Sequence, residues 1–298
     1  MSTNATALEN ANDTRLRGFR WWKEVGWKHV FAVAMIAYCI FPILYVLSAS
    51  LNPGGTLTGS TRLFPAVSLN NYVELFGTTN FPRWMLQSFL VSSVTAIGTV
   101  LMGAAAAYAF SRFRFAGRRG GLTALLIIQM FPQLLAFIAI FLLLLRLRDI
   151  YPFLGLGSVW GLIAVYLGGA MGANTFLMYG FFNTIPQDLD EAAKIDGATH
   201  AQIFWGMIMR LVTPILAVVG LLSFVGTYGD FILARIILAR PENYTLAVGL
   251  YVWGSDERNA PWSLFSSGAV IAAIPIILLF MYLQKYIVSG LTAGGVKG

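Results

Sequence analysis

Six stretches without a single Asp, Glu, Lys or Arg constrain this chain more than anything else: Val30–Leu51, Trp84–Ser111, Gly120–Leu145, Ile150–Gln187, Leu211–Gly229 and Asn259–Gln284. A helix that crosses the hydrocarbon core of a bilayer needs roughly 20 apolar residues, because lipid offers no partner for an open backbone group. Each stretch has about that length. The fourth is too long for one straight crossing, and its helix is placed near Ser158–Asn183. Composition agrees, since only 11% of the residues are charged and 57% are hydrophobic. The expected fold is an all-α integral membrane protein with six transmembrane helices.

Orientation follows from Lys and Arg, which are retained on the cytoplasmic side. The N-terminal segment, the second and fourth connecting loops and the C-terminal tail together carry 13 of them. The opposite loops carry 7, namely Arg62, Arg83, Arg146, Arg148, Arg235, Arg240 and Arg258. Both termini are therefore expected in the cytoplasm. The net charge of +7 reflects this asymmetry and contact with anionic headgroups, and it is no argument for nucleic acid. The eight tryptophans all fall near expected helix ends, where an indole ring sits well at the headgroup level. Cys39 is the only cysteine, so no internal disulfide can form. The N-terminus lacks a clean small-residue cleavage site and reads as a retained anchor.

Residues 1–28 form a cytoplasmic N-terminal segment, of which 1–18 are polar and expected to be disordered. Residues 19–28 mix Trp with Lys and Arg, which suits either a short interfacial helix or an ordinary positive flank. Residues 29–298 are the six-helix transmembrane domain. Pro42 is expected to kink the first span. A short helix is expected over Leu69–Phe76, capped by Asn70 or Asn71. Gly98, Gly103 and Ala104–Ala107 make the second span suited to close helix packing. Pro132 frees a backbone carbonyl one turn earlier in the third span, near the amide of Gln129. The run Gly168-Gly-Ala-Met-Gly-Ala-Asn174 could bend or unwind the fourth. Broken helices often line a substrate path, so Gln129, Tyr166, Asn174 and Tyr179 are the candidate path residues, against the plainer reading that they only pack. Asp230, near the outer end of the fifth span, is expected to be solvated.

One polar stretch between two spans carries unusual internal order. Asp188 can cap a helix with Glu191 three residues on, and the acidic first turn complements the helix dipole. Gly197 can end that helix at positive φ. Thr199 and Gln202 then form a second capping box for a helix running through Ile203, Phe204 and Trp205 into the fifth span, where Pro214 kinks it. Two short helices at an angle result, with Ala192, Ala193 and Ala198 as a low surface and Glu191 and Asp196 as orienting charges.

Glu191-Ala-Ala-Lys-Ile-Asp-Gly-Ala198 followed 16 residues later by Pro214 resembles the signature loop of permease subunits in binding-protein-dependent ABC importers. Ala107-Tyr-Ala-Phe-Ser-Arg-Phe-Arg-Phe-Ala-Gly117, Met130-Phe-Pro132, Tyr244-Thr-Leu-Ala-Val-Gly249 and Gly290-Leu-Thr-Ala-Gly-Gly-Val-Lys-Gly298 extend the likeness to the carbohydrate branch. It is closest to the smaller permease of maltose/maltodextrin importers and covers roughly residues 30–298. The resemblance implies an importer-type permease fold in the bacterial or archaeal plasma membrane and a path shared with a second, homologous permease. It also implies a dimer of ATPase subunits that hold ATP and Mg and receive the loop at 186–206, and an extracytoplasmic sugar-binding protein. Carried over by residue, Glu191, Ala192, Ala193, Asp196, Gly197 and Ala198 are the ATPase-docking positions. The tail, 290–298, is a family extension toward the ATPase interface. The outer segment Pro241–Trp262 resembles the one that probes the binding protein's sugar cleft in this family, and is shorter than its maltose-type counterpart.

No cofactor or metal is expected in this chain. It contains no Gly-x-x-x-x-Gly-Lys-Ser/Thr loop, and no ligand cluster accompanies His29 and His200, so hydrolysis is assigned to partners and the chain is read as non-catalytic. A self-sufficient secondary transporter is the competing class, and it would need a midplane acid or base that these spans lack. An importer permease for another solute, such as trehalose, remains open. A glycerol phosphate site would need a deep Arg or Lys, and none is present.

Overall fold

The computed structural model describes residues 18–53, 62–255 and 260–295, and within them every regular element is helical. The expected disorder of 1–18 falls outside this range except for Gly18, as does the end of the tail, 296–298. Four helices are long and apolar enough to cross a membrane: α1 (Trp22–Leu51), α3 (Phe81–Arg112), α6 (Val159–Phe182) and α12, whose apolar part is Trp262–Ile287 and which runs as helix to Gly295. A short helix α2 (Asn70–Gly77) follows α1. A fifth crossing is available if α8 (His200–Leu211) and α9 (Thr213–Gly229) count as one, but they meet at 79°. Pro214 occupies the first turn of α9, where its missing N–H costs nothing, so the kink expected there is a sharp corner.

The third expected span is divided. Its residues form α4 (Arg118–Gln129) and α5 (Gln133–Ile150), separated at Met130–Pro132. Pro132 is extended at ψ 111° because the proline ring can neither donate to nor fit within a continuing helix. At ~1.5 Å per residue, neither half alone has the length and the uniformly apolar character of a crossing. Gly168–Asn174 departs from expectation in the other direction, since α6 is helical throughout. Packing on both sides supplies what its glycines lack in propensity. Helix α1 likewise runs through Pro42 without a break; it begins with a π turn over Trp22–Gly26, and Gly18–Trp21 extend it backward as helix.

Helix α3 is the centre of the bundle and packs against α6, α9 and the shorter α11 (Leu246–Gly254), while α12 packs against α1 and α9. Its small residues do what lipid cannot, which is to allow close approach. A β-carbon on Gly98 would lie 2.6 Å from a Leu167 methyl on α6. Two apolar cores stack along α3. One gathers Phe81, Trp84 and Val91 with Tyr228, Ile237 and Leu246; the other gathers Ala104, Ala107 and Tyr108 with Met178, Phe182 and Ile203. In α2 neither asparagine caps. Ser68 Oγ accepts the Asn70 N–H, while the Asn71 amide donates to the Ser50 and Asn52 carbonyls and ties α2 to the end of α1.

Candidate functional site

The ordered loop lies at the end of the second core. Helix α7 (Asp188–Ile195) has an acidic first turn, but its N-cap is Gln187 and no side chain caps it, so the expected Asp188 box does not form. Asp190 is turned inward instead. Its carboxylate Oδ2 is 2.6 Å from Arg112 Nε at the end of α3, and both side chains are 5% exposed. The Nε–H is not aligned as a hydrogen bond, so charge attraction holds this contact. Arg112 also donates to the Ile185 carbonyl at 3.1 Å, and Ser111 Oγ donates to Asn183 Oδ1 at 2.8 Å. The end of α3 is thereby fastened to both sides of the turn that leads into α7.

Helix α7 closes as the sequence requires. Gly197 has φ +85°, its N–H reaches the Lys194 carbonyl at 3.0 Å, and the Ala198 N–H reaches Ala193 at 2.9 Å. These are the two bonds of a Schellman ending, which a residue at positive φ makes possible. The Thr199/Gln202 capping box then forms in both directions and starts α8. Ala193, Ile203 and Phe204 are buried in the second core with Ala198 against them. The expected docking set is thus split by side. Glu191, Ala192, Asp196 and Gly197 face outward, whereas Ala193 is a core residue and Ala198 is half-buried. Ile195 stands 86% exposed and Leu189 is exposed beside Ala192, an apolar pair the sequence reading passed over.

A second feature is a cavity of ≈ 950 Å³ bounded by α4, α5, α6, α9 and α10 (Ile232–Ile237). Gln129, Tyr166 and Asn174 line it together, and Tyr179 does not. Tyr179 lies further along α6, where its hydroxyl accepts from Arg118 at 3.3 Å. Asn174 donates to the Ala170 carbonyl at 3.0 Å, leaving its side-chain oxygen available. Gln129 sits at the broken end of α4 against Gly172, where a β-carbon would come within 2.1 Å of its Nε2. Asp230 also lines the cavity and is not simply solvated. Its Oδ1 accepts from Tyr166 OH at 2.8 Å and from the Leu233 and Ala234 N–H groups at 3.1 Å each. The acid was visible in the sequence, but its partner comes from a helix 64 residues earlier, a pairing no local pattern encodes.

An all-helical chain with several apolar spans and a capped helical pair fastened to one end of the bundle defines a multi-pass membrane protein. Residues 99–293 match the family described as binding-protein-dependent transport system inner membrane component. The chain belongs to that family. It is 42% identical over 267 residues to the galactooligosaccharides transport system permease protein GanQ of Bacillus subtilis, covering 89% of this chain and 92% of that one. It is 37% identical to the maltodextrin transport system permease protein MdxG of the same organism, covering 91% and 95%. The maltose/maltodextrin transport system permease protein MalG of Salmonella typhimurium is 39% identical at the same coverage. Among solved structures, a chain of a bacterial ABC transporter involved in import of the acidic polysaccharide alginate shares the fold, with a TM-score of 0.75, 23% identity, and 92% and 99% of the two chains covered.

Proposed function

We propose that this chain is the transmembrane permease subunit of a binding-protein-dependent ABC importer for oligosaccharides of the maltodextrin or galactooligosaccharide kind. The observation that carries the mechanism is the α7–α8 pair. It is locked to the bundle by the Arg112–Asp190 ion pair and the buried Ala193, and it presents Glu191, Ala192, Ile195 and Asp196 outward. A rigid knob with a small apolar centre and flanking charges is what a groove on a partner can grip and move. The sugar class rests on the relatives, which include both a galactooligosaccharide and two maltodextrin permeases. Maltose itself is one member of the class.

In this reading α4 and α5 make one interrupted crossing and α9 makes another, giving six with both termini in the cytoplasm and the chain in the plasma membrane. A second, homologous permease completes the path. Two ATPase subunits carry ATP and Mg, and each receives one helical pair. A sugar-binding protein docks outside. ATP binds the outward-open arrangement more tightly than the inward-open one, and only that difference lets it drive the change. The knob transmits it along α3 and α6, because Asp190 and Ala193 leave little freedom for α7 to move alone.

Substitution at the knob tests this. Gly197→Pro removes the N–H that bonds Lys194 and demands φ near −65°, and Glu191→Lys reverses an exposed charge. Each variant should insert in the membrane normally and lose sugar uptake. Wild-type uptake by both would refute the docking role.

A further inference from the structure

We propose that the α4–α6–α9–α10 cavity is a saccharide site belonging to this chain, in which Asp230 accepts sugar hydroxyls and turns anionic saccharides away. The inference rests on the sugar-import reading above and adds a specificity determinant to it. Three donors converge on Asp230 Oδ1 and fix the carboxylate, while Oδ2 takes no hydrogen bond from the described residues. The group is therefore oriented by the protein with one oxygen left over, at the wall of a cavity large enough for a short oligosaccharide.

A second, independent observation points to a ligand. Thr95, on α3, lines the same cavity, is 1% exposed, and its hydroxyl has no hydrogen-bond partner. Buried hydroxyls are almost always bonded, so an unpaired one beside a cavity is a group that a bound ligand can satisfy. Asn174 Oδ1 and Gln129 add an acceptor and an amide to the lining of the same cavity. A carboxylate oxygen, a hydroxyl and two amides match a neutral polyol, which brings many donors and acceptors and no charge. Among the lining residues Asp230 is the only one that carries a charge, and no Lys or Arg stands beside it. A uronate would meet a fixed like charge with nothing to offset it, in surroundings less screening than water.

The test uses the assembled importer. Equilibrium dialysis of the detergent-purified complex, without binding protein, would measure binding of maltotriose or a galactotriose, whichever the intact system takes up. Asp230→Asn keeps an oxygen for Tyr166 and the two backbone N–H groups and changes only the free atom's character, so the fold is preserved. It should weaken binding by about tenfold, as expected for losing a hydrogen bond to a charged acceptor. Thr95→Val, nearly isosteric, should weaken binding several-fold; a purely structural orphan would instead leave binding unchanged and raise thermal stability. A trimeric uronate should fail to compete at the wild-type site. Unchanged affinity in both variants, competition by the uronate, or no measurable binding by a complex that transports the sugar would each overturn the proposal while leaving the import reading intact. An assembled system that takes up neither neutral sugar would overturn the import reading itself.

Discussion

At Gly197 and Arg112 single atoms decide how the knob behaves. Nothing lies within 4 Å of a β-carbon built on Gly197, so Gly197→Ala meets no steric clash and suffers only the backbone cost of φ +85°. That cost is about 1–2 kcal/mol for a left-handed L-residue. The knob should remain folded but fray, read as faster hydrogen exchange over 197–203 with uptake reduced and not abolished. Arg112→Ala is a different injury. It leaves Asp190 buried without a counter-charge, and breaking a buried pair in this way costs about 3–5 kcal/mol. Arg112→Ala should depress the melting temperature and lower sugar uptake relative to ATP hydrolysis, and adding Asp190→Asn to it, which removes the stranded charge with its volume kept, should recover most of the stability but not the coupling. Equal coupling in both variants and the wild type would deny the ion pair any part in transmission. Gly197 was legible in the sequence because a helix ending is a local event. The ion pair was not. Arg112 read as one more topology marker and Asp190 as a dipole complement, since 78 residues separate the partners in the chain.

Among the elements, local chemistry and packing exchange the lead. Pro132 breaks its span and Pro214 turns its helix by 79°, as a missing N–H requires. The glycines at 168, 169 and 172 leave α6 unbroken, because α3 holds one side of it and α4 part of another. A straight glycine-bearing helix has a consequence. A β-carbon on Gly168 has nothing within 4 Å, so Gly168→Ala should stabilise the protein by about 0.5–1 kcal/mol through lost unfolded-state freedom. Gly155, at the turn between α5 and α6, is the contrast. Its β-carbon would lie 2.3 Å from Arg148 Cα, a backbone atom that cannot step aside. Gly155→Ala should therefore cost on the order of 1–3 kcal/mol, seen as a lowered melting temperature of the purified complex. The same distinction explains the expected Asp188 cap. A capping pattern is permissive, and Asp190 found a stronger use for the first turn of α7 on the other side of the core.

For the whole molecule, hydropathy alone located four of the six apolar segments as helices long enough to cross a membrane; the fifth counts only with the helix that meets it at 79°, and the third is divided at Pro132. What hydropathy could not supply is the way two stacked cores share one helix. Helix α3 joins the first core, with the Asp230 cavity beside it, to the second core that holds the knob. In the proposed importer this shared helix would carry movement at α7 to the walls of the cavity. Large exposed apolar faces on α1, where none of the most apolar stretch is buried, suit contact with lipid. The most direct measurement is ATP hydrolysis by the complex purified through a tag on this chain, with and without binding protein loaded with maltotriose or a galactooligosaccharide. An importer permease should bring with it an ATPase whose rate rises with the loaded binding protein and no longer rises when Glu191→Lys and Gly197→Pro are combined. A chain that purifies without any ATPase, and still moves sugar into vesicles lacking ATP, would contradict the importer reading.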